Sequence, residues 1–210
     1  MATEVQAFPK FEFIEKTHTY LLDDKQIPSV TQVLEDVRVI DYSHIPGQTR
    51  EMALARGRYV HLLTQYADED DLDTSTVKPE WGGYLDAWYA FRRDMKFFIE
   101  PGGIEEKVCH PQHRYGGTLD RRGHFHGSKY QVLLDIKTNE AQWWVRLQTA
   151  AYAACRPNPR SFLRLAVELH ADGTYNTGGK LEFSGREFEA DFQMFLACLS
   201  VYNVKRRFER

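Results

Sequence analysis

The sequence predicts a mixed α/β (α+β) fold in which a central mixed β-sheet is flanked by helices. Helical patterns dominate both ends of the chain and strand patterns its middle. With 42% hydrophobic residues, 210 residues are enough for one sizeable core. We therefore expect one domain over residues 1–210, made of an N-terminal hairpin and helix (1–47), a core with the candidate site (48–160) and a C-terminal hairpin and helix (161–210).

Composition and charge narrow the classes of protein to consider. The net charge of -3 means that a polyanion could bind only at a local basic patch. Cys109, Cys155 and Cys198 lack C-x-x-C spacing, so we expect no iron–sulfur cluster, no structural zinc site and no disulfide framework. Met1–Lys10 lacks the features of a signal peptide, and no apolar run approaches the roughly 20 residues that span a bilayer. We expect a cytoplasmic protein.

The first third of the chain predicts a hairpin followed by two helices. Residues 11–27 have two strand-like runs around a polar turn. Ser29 is a natural N-cap for a helix over 32–37. A longer helix is predicted over 48–66, and the acidic segment 68–76 is typical of a solvated loop.

A third helix begins at Pro79 and is expected to end at the Pro101-Gly102-Gly103 segment. Its apolar residues recur at helical spacing, which indicates a buried face: Trp81, Leu85, Trp88 and Met95. The later elements are three strands, a helix with Asn139 as N-cap, a second hairpin and a C-terminal amphipathic helix. Their expected positions are 106–109, 115–120 and 129–137 for the strands, 140–154 for the helix, 162–170 and 174–183 for the hairpin, and 188–202 for the last helix.

An acid and a base emerge together from the strand that begins with Val132-Leu133-Leu134. Asp135 and Lys137 are two residues apart, so their side chains point to the same face of the sheet. Charged groups directly after a buried strand are costly unless they pair or act. The alternative is a strand end that reaches solvent with a surface ion pair.

A second carboxylate, Asp120, ends the preceding strand after Gly116-Gly117. The segment 121–128 turns the chain back, so Asp120 and Asp135 can meet at neighbouring strand ends. Two such carboxylates can hold a divalent cation. A cation of this kind can activate the water and neutralise the charge in the hydrolysis of a phosphodiester. The two glycines can equally mark a simple bulge.

Two further groups lie on helices. Gln148 and Tyr152 are four residues apart and share a helical face, either at a site or on an ordinary surface. Ala53, Gly57 and His61 also recur at four-residue intervals. The small residues would allow a close approach that carries the imidazole of His61 to the site, although a single helical histidine is more often structural.

Taken together, these segments resemble the PD-(D/E)XK nuclease superfamily in its RecB-like branch, and especially the small phage-encoded exonucleases of that branch. The resemblance covers most of the chain. It rests on His18-Thr19-Tyr20, Pro28-Ser29-Val30-Thr31, Gly57, His61, Glu106, Gly117-Thr118-Leu119-Asp120, Asp135-Ile136-Lys137-Thr138, Gln148 and Tyr152.

The resemblance implies a role for each residue of the central motif. Asp120 and Asp135 would bind Mg²⁺ or Mn²⁺, with the backbone carbonyl of Ile136 as a further ligand. Lys137 would orient the attacking water and stabilise charge on the phosphate. Leu119 stands where the name of the superfamily has proline, which is common in this branch.

The resemblance also implies roles for residues outside that motif. Gln148 and Tyr152 would be the catalytic helix pair of the branch, and His61 would add a metal ligand that favours manganese. Glu106 would be the acid of the second core strand, although Glu105 can match the same position.

The implied activity is a metal-dependent DNA exonuclease in phage or bacterial recombination or DNA processing. The alternatives are a structure- or sequence-selective endonuclease of the same fold and a non-catalytic DNA-binding relative. The expected partners are DNA, as double-stranded ends or single strands, and a single-strand annealing or binding protein, with no membrane. Arg121, Arg122, Lys129 and Arg146 suit contacts to phosphates.

Overall fold

Residues 9–208, described by a computed structural model, are organised around a mixed sheet. A small N-terminal sheet and five α-helices accompany it within these residues. The strands are β1 Phe11–Ile14, β2 Thr19–Leu22, β3 Lys25–Ile27, β4 Phe97–His110, β5 Tyr115–Phe125, β6 Gln131–Lys137, β7 Phe162–Leu169, β8 Tyr175–Asn176 and β9 Glu182–Phe183. The helices are α1 Val30–Asp36, α2 Gly47–Asp68, α3 Gly82–Asp94, α4 Val145–Ala154 and α5 Phe188–Phe208.

The central sheet has six strands in the described part of the chain and is mixed, as predicted. Its order is β4-β5-β6-β7-β8, and β9 pairs with another stretch of β7. Only the β6–β7 pair is parallel, and α4 lies between these two strands in the chain. The other pairs are antiparallel.

Helices cover both faces of this sheet. Leu134 and Ile136 of β6 pack into an apolar cluster with Trp88 of α3 and Val60 of α2. Leu133, which the period-two alternation places on the opposite face, packs into a second cluster with residues of α1, α4 and α5. Asp135 and Lys137 therefore belong to the α4 side of the sheet.

The N-terminal segment forms three strands, one more than the predicted hairpin contains. β2 pairs with both β1 and β3, and Asp23 and Asp24 make the tight β2–β3 turn with φ values of 52° and 58°. The predicted N-cap of α1 is confirmed, since the Gln32 amide donates to Ser29 Oγ at 3.0 Å.

The long helix α2 confirms the prediction over 48–66, but its last residue, Asp68, does not belong to a solvated loop. The Asp68 carboxylate is buried and accepts hydrogen bonds from Trp88 Nε1 at 3.0 Å, Arg92 Nη1 at 2.6 Å and Arg121 Nε at 2.6 Å. Three donors compensate for its lost hydration.

The Pro101-Gly102-Gly103 segment does not end a helix, contrary to the prediction. It is a bulge inside β4, where the register with β5 shifts between Ile99 and Ile104. A Cβ on Gly103 would lie 2.4 Å from the carbonyl oxygen of Arg122. Glycine thus allows the close approach that the bulge needs, and α3 ends earlier, at Asp94.

Two other predicted elements are shorter than expected. α4 begins at Val145, so Asn139 is not its N-cap. Residues 138–144 instead form a loop in which the Ala141 amide donates to Glu168 Oε1 at 2.7 Å. The C-terminal hairpin turns at Asp172-Gly173 as predicted, but only the short strands β8 and β9 of its second arm pair with β7.

Among residues 9–208, no helix is long and apolar enough to cross a membrane. The expectation that Met1–Lys10 is not a signal peptide concerns a stretch of which residues 1–8 lie outside the described part.

The fold predicts a pH dependence of stability at His110, the last residue of β4. Burial and the neighbouring His113 lower the pKa of His110 from 6.5 to about 4. The His113 amide also donates to His110 Nδ1 at 3.3 Å, which a proton there would prevent. As the pH falls from 6.5 to 4, the unfolded chain gains a proton that the folded protein does not, so the free energy of unfolding decreases.

We expect His110→Gln to flatten this decrease in urea unfolding between pH 7 and pH 5. His126→Gln, at an exposed position, is the control and should leave the slope unchanged. An identical slope in His110→Gln and the wild type would contradict the assignment.

Candidate metal centre

The candidate site lies where β5 and β6 separate. Their ladder ends at the Arg121–Leu134 pair, and Asp120 and Asp135 are the next residues on the two strands. Asp120 Oδ2 accepts a hydrogen bond from the Ile136 amide at 2.6 Å. The Asp120 carboxylate thereby replaces the backbone acceptor that a continuing ladder would provide for the Ile136 amide.

The backbone of Ile136 faces the same gap. In an extended strand the N–H and C=O of one residue point to the same side. Because the Ile136 amide donates to Asp120, its carbonyl is directed to this edge as well. The carbonyl of Ile136 therefore stays a predicted ligand.

Three side chains converge next to the gap. His61 of α2, Glu105 of β4 and Asp120 of β5 each offer one ligand atom, and these atoms all lie within 4.8 Å of one another. His61 Nδ1 is 3.5 Å from Asp120 Oδ1. The sequence predicted His61 and Asp120 for this centre and named Glu105 as the alternative to Glu106.

Glu105 reaches the cluster through an unusual backbone conformation. Its φ of 46° is in the left-handed region, which costs energy for a residue with a Cβ. Its carboxylate lies near that of Asp120, and burial and this second charge raise the pKa of Glu105. Both features are unfavourable in the protein alone and would be offset by a bound cation.

The donor set fits a hard divalent cation. Two carboxylates and one imidazole, with no thiolate among them, suit Mg²⁺ or Mn²⁺ better than a thiophilic metal. Of these ions, manganese accepts the imidazole nitrogen more readily. The repulsion between Glu105 and Asp120 is the physical reason to expect a cation between them.

Asp135 stands apart from this cluster and pairs with Lys137. The two side chains share a face of the sheet, as predicted, and Lys137 Nζ is 2.6 Å from Asp135 Oδ2. The Asp135 side chain is 2% exposed, and burial raises its pKa to about 6 against the opposing effect of Lys137. The contact lacks hydrogen-bond geometry, so Asp135 Oδ2 has no hydrogen-bond donor among residues 9–208.

Lys137 remains a cation at this partly buried position. Burial lowers its pKa, but the carboxylates of Asp135 and Asp120 outweigh that effect and raise it. The site therefore keeps a positive charge at the strand end, on a side chain that is only 22% exposed.

The predicted pair on α4 lies directly behind this lysine. Lys137 Nζ donates to Gln148 Oε1 at 3.4 Å, and Gln148 Nε2 donates to the Tyr152 hydroxyl at 3.1 Å. A Cβ on Gly117 would lie 2.4 Å from Tyr152 Cε1, so glycine makes room for the ring. Gln148 and Tyr152 are buried and position Lys137 from behind.

Tyr42 and Trp144 complete the surroundings of Lys137, and the sequence did not identify either of them as part of the site. Lys137 Nζ lies 5.3 Å from the centre of the Trp144 ring, a cation–π contact. Burial raises the pKa of the Tyr42 hydroxyl, and the nearby charge of Lys137 acts in the opposite direction. The adjacent tryptophans 143 and 144 were the available signal.

The close approach of α2 agrees with the sequence. A Cβ on Gly57 would be in ordinary contact with Thr138 Oγ1, at 3.9 Å. Arg56 also donates to Oδ1 of Asn139, the residue that the sequence predicts as the N-cap of α4. These contacts hold the helix of His61 against the end of β6.

The N-terminal sheet supports the site from the other side. The hydroxyl groups of Tyr20 and Thr118 are 2.7 Å apart, and His18 Nε2 is 3.4 Å from the Tyr20 hydroxyl. A Cβ on Gly116 would lie 3.0 Å from the Tyr20 ring. The His18-x-Tyr20 segment thus joins the small sheet to β5 beside Asp120.

Glu106 does not lie in the metal cluster, which corrects the first choice made from the sequence. Its carboxylate pairs with Arg122 and Arg156 instead. The left-handed turn of the backbone at Glu105 directs these neighbouring acids to different surroundings.

The four basic residues expected at DNA occupy different environments. Arg121 is fully buried against Asp68 and Glu105, so it cannot reach DNA, and its assignment is corrected. Arg122 and Arg146 are partly exposed and form ion pairs, Arg122 with Glu100 and Glu106 and Arg146 with Glu187 and Asp191. Lys129 is exposed in the β5–β6 turn.

The two adjacent glutamates provide a matched test of the metal centre. We expect Glu105→Gln to weaken Mn²⁺ binding at least about tenfold, since a lost ligand should cost no less than a lost outer contact. Glu106→Gln should leave the affinity within about twofold. Isothermal titration of Mn²⁺ into each variant measures both. Equal affinities in the two variants would remove Glu105 from the centre.

The sequence matches no protein-family model, and no curated protein is significantly similar to it. The assignment of a function therefore rests on the side chains that the fold brings together.

Proposed function

We propose that this protein is a metal-dependent nuclease that hydrolyses DNA phosphodiesters, with a restriction-endonuclease-like core of the PD-(D/E)XK type and its RecB-like branch. One observation carries the proposal. A cluster of two carboxylates and an imidazole lies beside a buried aspartate–lysine pair where β5 and β6 separate. Both parts are unfavourable in isolation, and together they suit an anionic substrate bound with a divalent cation.

The residues divide the chemistry between them. Mg²⁺ or Mn²⁺, when bound, neutralises charge on the phosphate and acidifies water. His61, Glu105 and Asp120 would hold the cation, with Asp135 and the Ile136 carbonyl as the remaining candidates. Lys137 stays protonated because its pKa is raised. Its ammonium group can therefore orient the attacking water and stabilise the charge that develops on the phosphate.

Catalysis is favoured here over DNA binding alone. A protein that only binds DNA gains nothing from several carboxylates facing a polyanion. The hydrogen bonds from Lys137 to Gln148 and from Gln148 to Tyr152 fix the ammonium group on the same side as Asp135. Such support is what a positioned catalytic group needs.

Cleavage from DNA ends is the mode we favour. Most of residues 9–208 form the sheet and its covering helices, and we identify no separate module among them that reads base edges in the major groove. An end requirement would limit damage to a genome without sequence recognition. We place this activity in the cytoplasm, in phage or bacterial recombination or DNA processing, with a single-strand annealing or binding protein as a candidate partner.

Digestion of linear and covalently closed circular DNA tests this mode. With Mg²⁺ or Mn²⁺, end-labelled linear DNA should shorten progressively while closed circles persist. Rapid linearisation of circles would instead indicate an endonuclease, and discrete fragments would indicate sequence recognition.

His61 predicts a difference between metals. Because imidazole is a better ligand for manganese than for magnesium, His61→Ala should lose more Mn²⁺-supported than Mg²⁺-supported cleavage. The initial rates of linear DNA digestion with each metal measure the difference. The same fractional loss with both metals, or no loss, would assign His61 a structural role.

A further inference from the structure

An exposed tryptophan, Trp143, directly precedes the tryptophan that contacts Lys137. Trp143 is 61% exposed, whereas the next residue, Trp144, is 9% exposed and covers Lys137. Consecutive Cα atoms are about 3.8 Å apart, so the backbone of Trp143 lies next to the residue that contacts Lys137. Among residues 9–208 it forms no aromatic pair and carries no cation over its ring. A large apolar surface is thus left in water beside a charged site.

The loop that carries Trp143 is held at several points. Thr138 lies against Gly57, Arg56 donates to Asn139 Oδ1, and the Ala141 amide donates to Glu168. The buried Trp144 ring fixes its other end. The exposed indole is therefore presented by an anchored loop, at little cost in conformational entropy on binding.

We propose that Trp143 stacks on an unpaired nucleobase of the DNA strand whose phosphate occupies the site. This inference rests on the proposed nuclease function and adds to it the form of the substrate, a single strand or a frayed end. An aromatic face beside a basic groove is how proteins hold unpaired bases without sequence preference. A paired and stacked duplex keeps its base faces hidden, so the contact needs an unpaired nucleotide.

A cation for the adjoining phosphate is available on α2. Arg50, Gly57 and His61 are seven and four residues apart, which places them on one face of the helix. The Arg50 guanidinium lies 5.6 Å from the centre of the Tyr42 ring, and Tyr42 in turn is close to Lys137. Among the described side chains, no carboxylate forms an ion pair with Arg50.

The surroundings of Trp143 favour a nucleobase over a docked protein. Its neighbours Asn139, Glu140 and Gln142 are exposed and polar. A protein interface usually surrounds such an anchor with further apolar surface, whereas a single indole is enough for one base.

Binding of fluorescein-labelled oligonucleotides, followed by anisotropy with Ca²⁺ in place of Mg²⁺ or Mn²⁺, tests the proposal. We expect Trp143→Ala to raise the Kd for a single strand about tenfold, the scale of one stacked base. Trp143→Phe should keep most of the affinity. Tyr130→Ala is the matched control, because Tyr130 is 53% exposed beside the opposite end of β6 and should have no effect.

A strand with an abasic terminal nucleotide gives a second, independent readout. The wild type should bind it as weakly as Trp143→Ala binds the intact strand, and Trp143→Ala should lose nothing further. For a blunt duplex without frayed ends, the variant and the wild type should bind alike.

The outcomes separate this inference from the nuclease function. Unchanged single-strand binding in Trp143→Ala would overturn the stacking role and favour a contact between Trp143 and a protein partner. An equal loss for single strands and blunt duplexes would overturn it as well. If the wild type binds oligonucleotides with this pattern yet cleaves no DNA with Mg²⁺ or Mn²⁺, the nuclease function fails while the stacking contact stands. If the wild type binds no oligonucleotide, both fail.

Discussion

Asp120→Asn, Asp135→Asn and Lys137→Ala are each expected to reduce DNA cleavage about a thousandfold or more, because groups that act as one unit do not contribute additively. Asp120 is a member of the metal cluster and Asp135 pairs with Lys137, so losing either acid disables the other part of the site. Initial rates on linear DNA with Mn²⁺ measure the loss. Near wild-type cleavage by Asp135→Asn would end the assignment.

The folded state should survive the two asparagine substitutions. Burial disfavours the charged form of Asp135, so a neutral amide of the same shape removes that cost. Lys137→Ala is expected to be less stable, since it leaves Asp135 buried without its cation. Urea unfolding of the metal-free proteins distinguishes inactivity from unfolding. Asp172→Asn, in an exposed turn, is the control for both measurements.

Arg121→Ala should destabilise the protein by about 3–5 kcal/mol, the usual cost of removing one partner from a buried ion pair. Its guanidinium contacts Asp68 at 2.6 Å and Glu105 at 3.1 Å, and neither acid would be fully compensated without it. Because Glu105 belongs to the metal cluster, Mn²⁺ binding should weaken as well.

Urea unfolding of Arg121→Ala measures this effect, and Lys129→Ala, at an exposed residue of the β5–β6 turn, should change stability by less than about 0.5 kcal/mol. Full stability of Arg121→Ala together with weaker DNA binding would restore the role that the sequence suggested for this arginine.

The contrast between these residues shows what a sequence pattern can and cannot predict. The period of two in strands correctly placed Asp135 and Lys137 on one face, and the four-residue spacing placed Gln148 and Tyr152 in contact. Both are local regularities. The choice between Glu105 and Glu106 depended on one left-handed φ angle, which the pattern does not show.

Long-range pairing was the other source of error. Asp68 and Arg121 are far apart in the chain, and each resembled a surface charge when considered alone. Only the packing of α2 against β5 joins them in the interior. The Pro101–Gly103 segment has the composition of a helix end, yet pairing with β5 makes it a bulge.

The most direct test of the central claim is the cleavage of end-labelled linear DNA by the purified wild type, followed over time with EDTA and then after adding excess Mn²⁺ to the same sample. We predict no cleavage in EDTA and progressive shortening of the DNA once Mn²⁺ is present. Intact DNA after Mn²⁺ addition, or cleavage that continues in EDTA, would contradict the assignment of a metal-dependent nuclease.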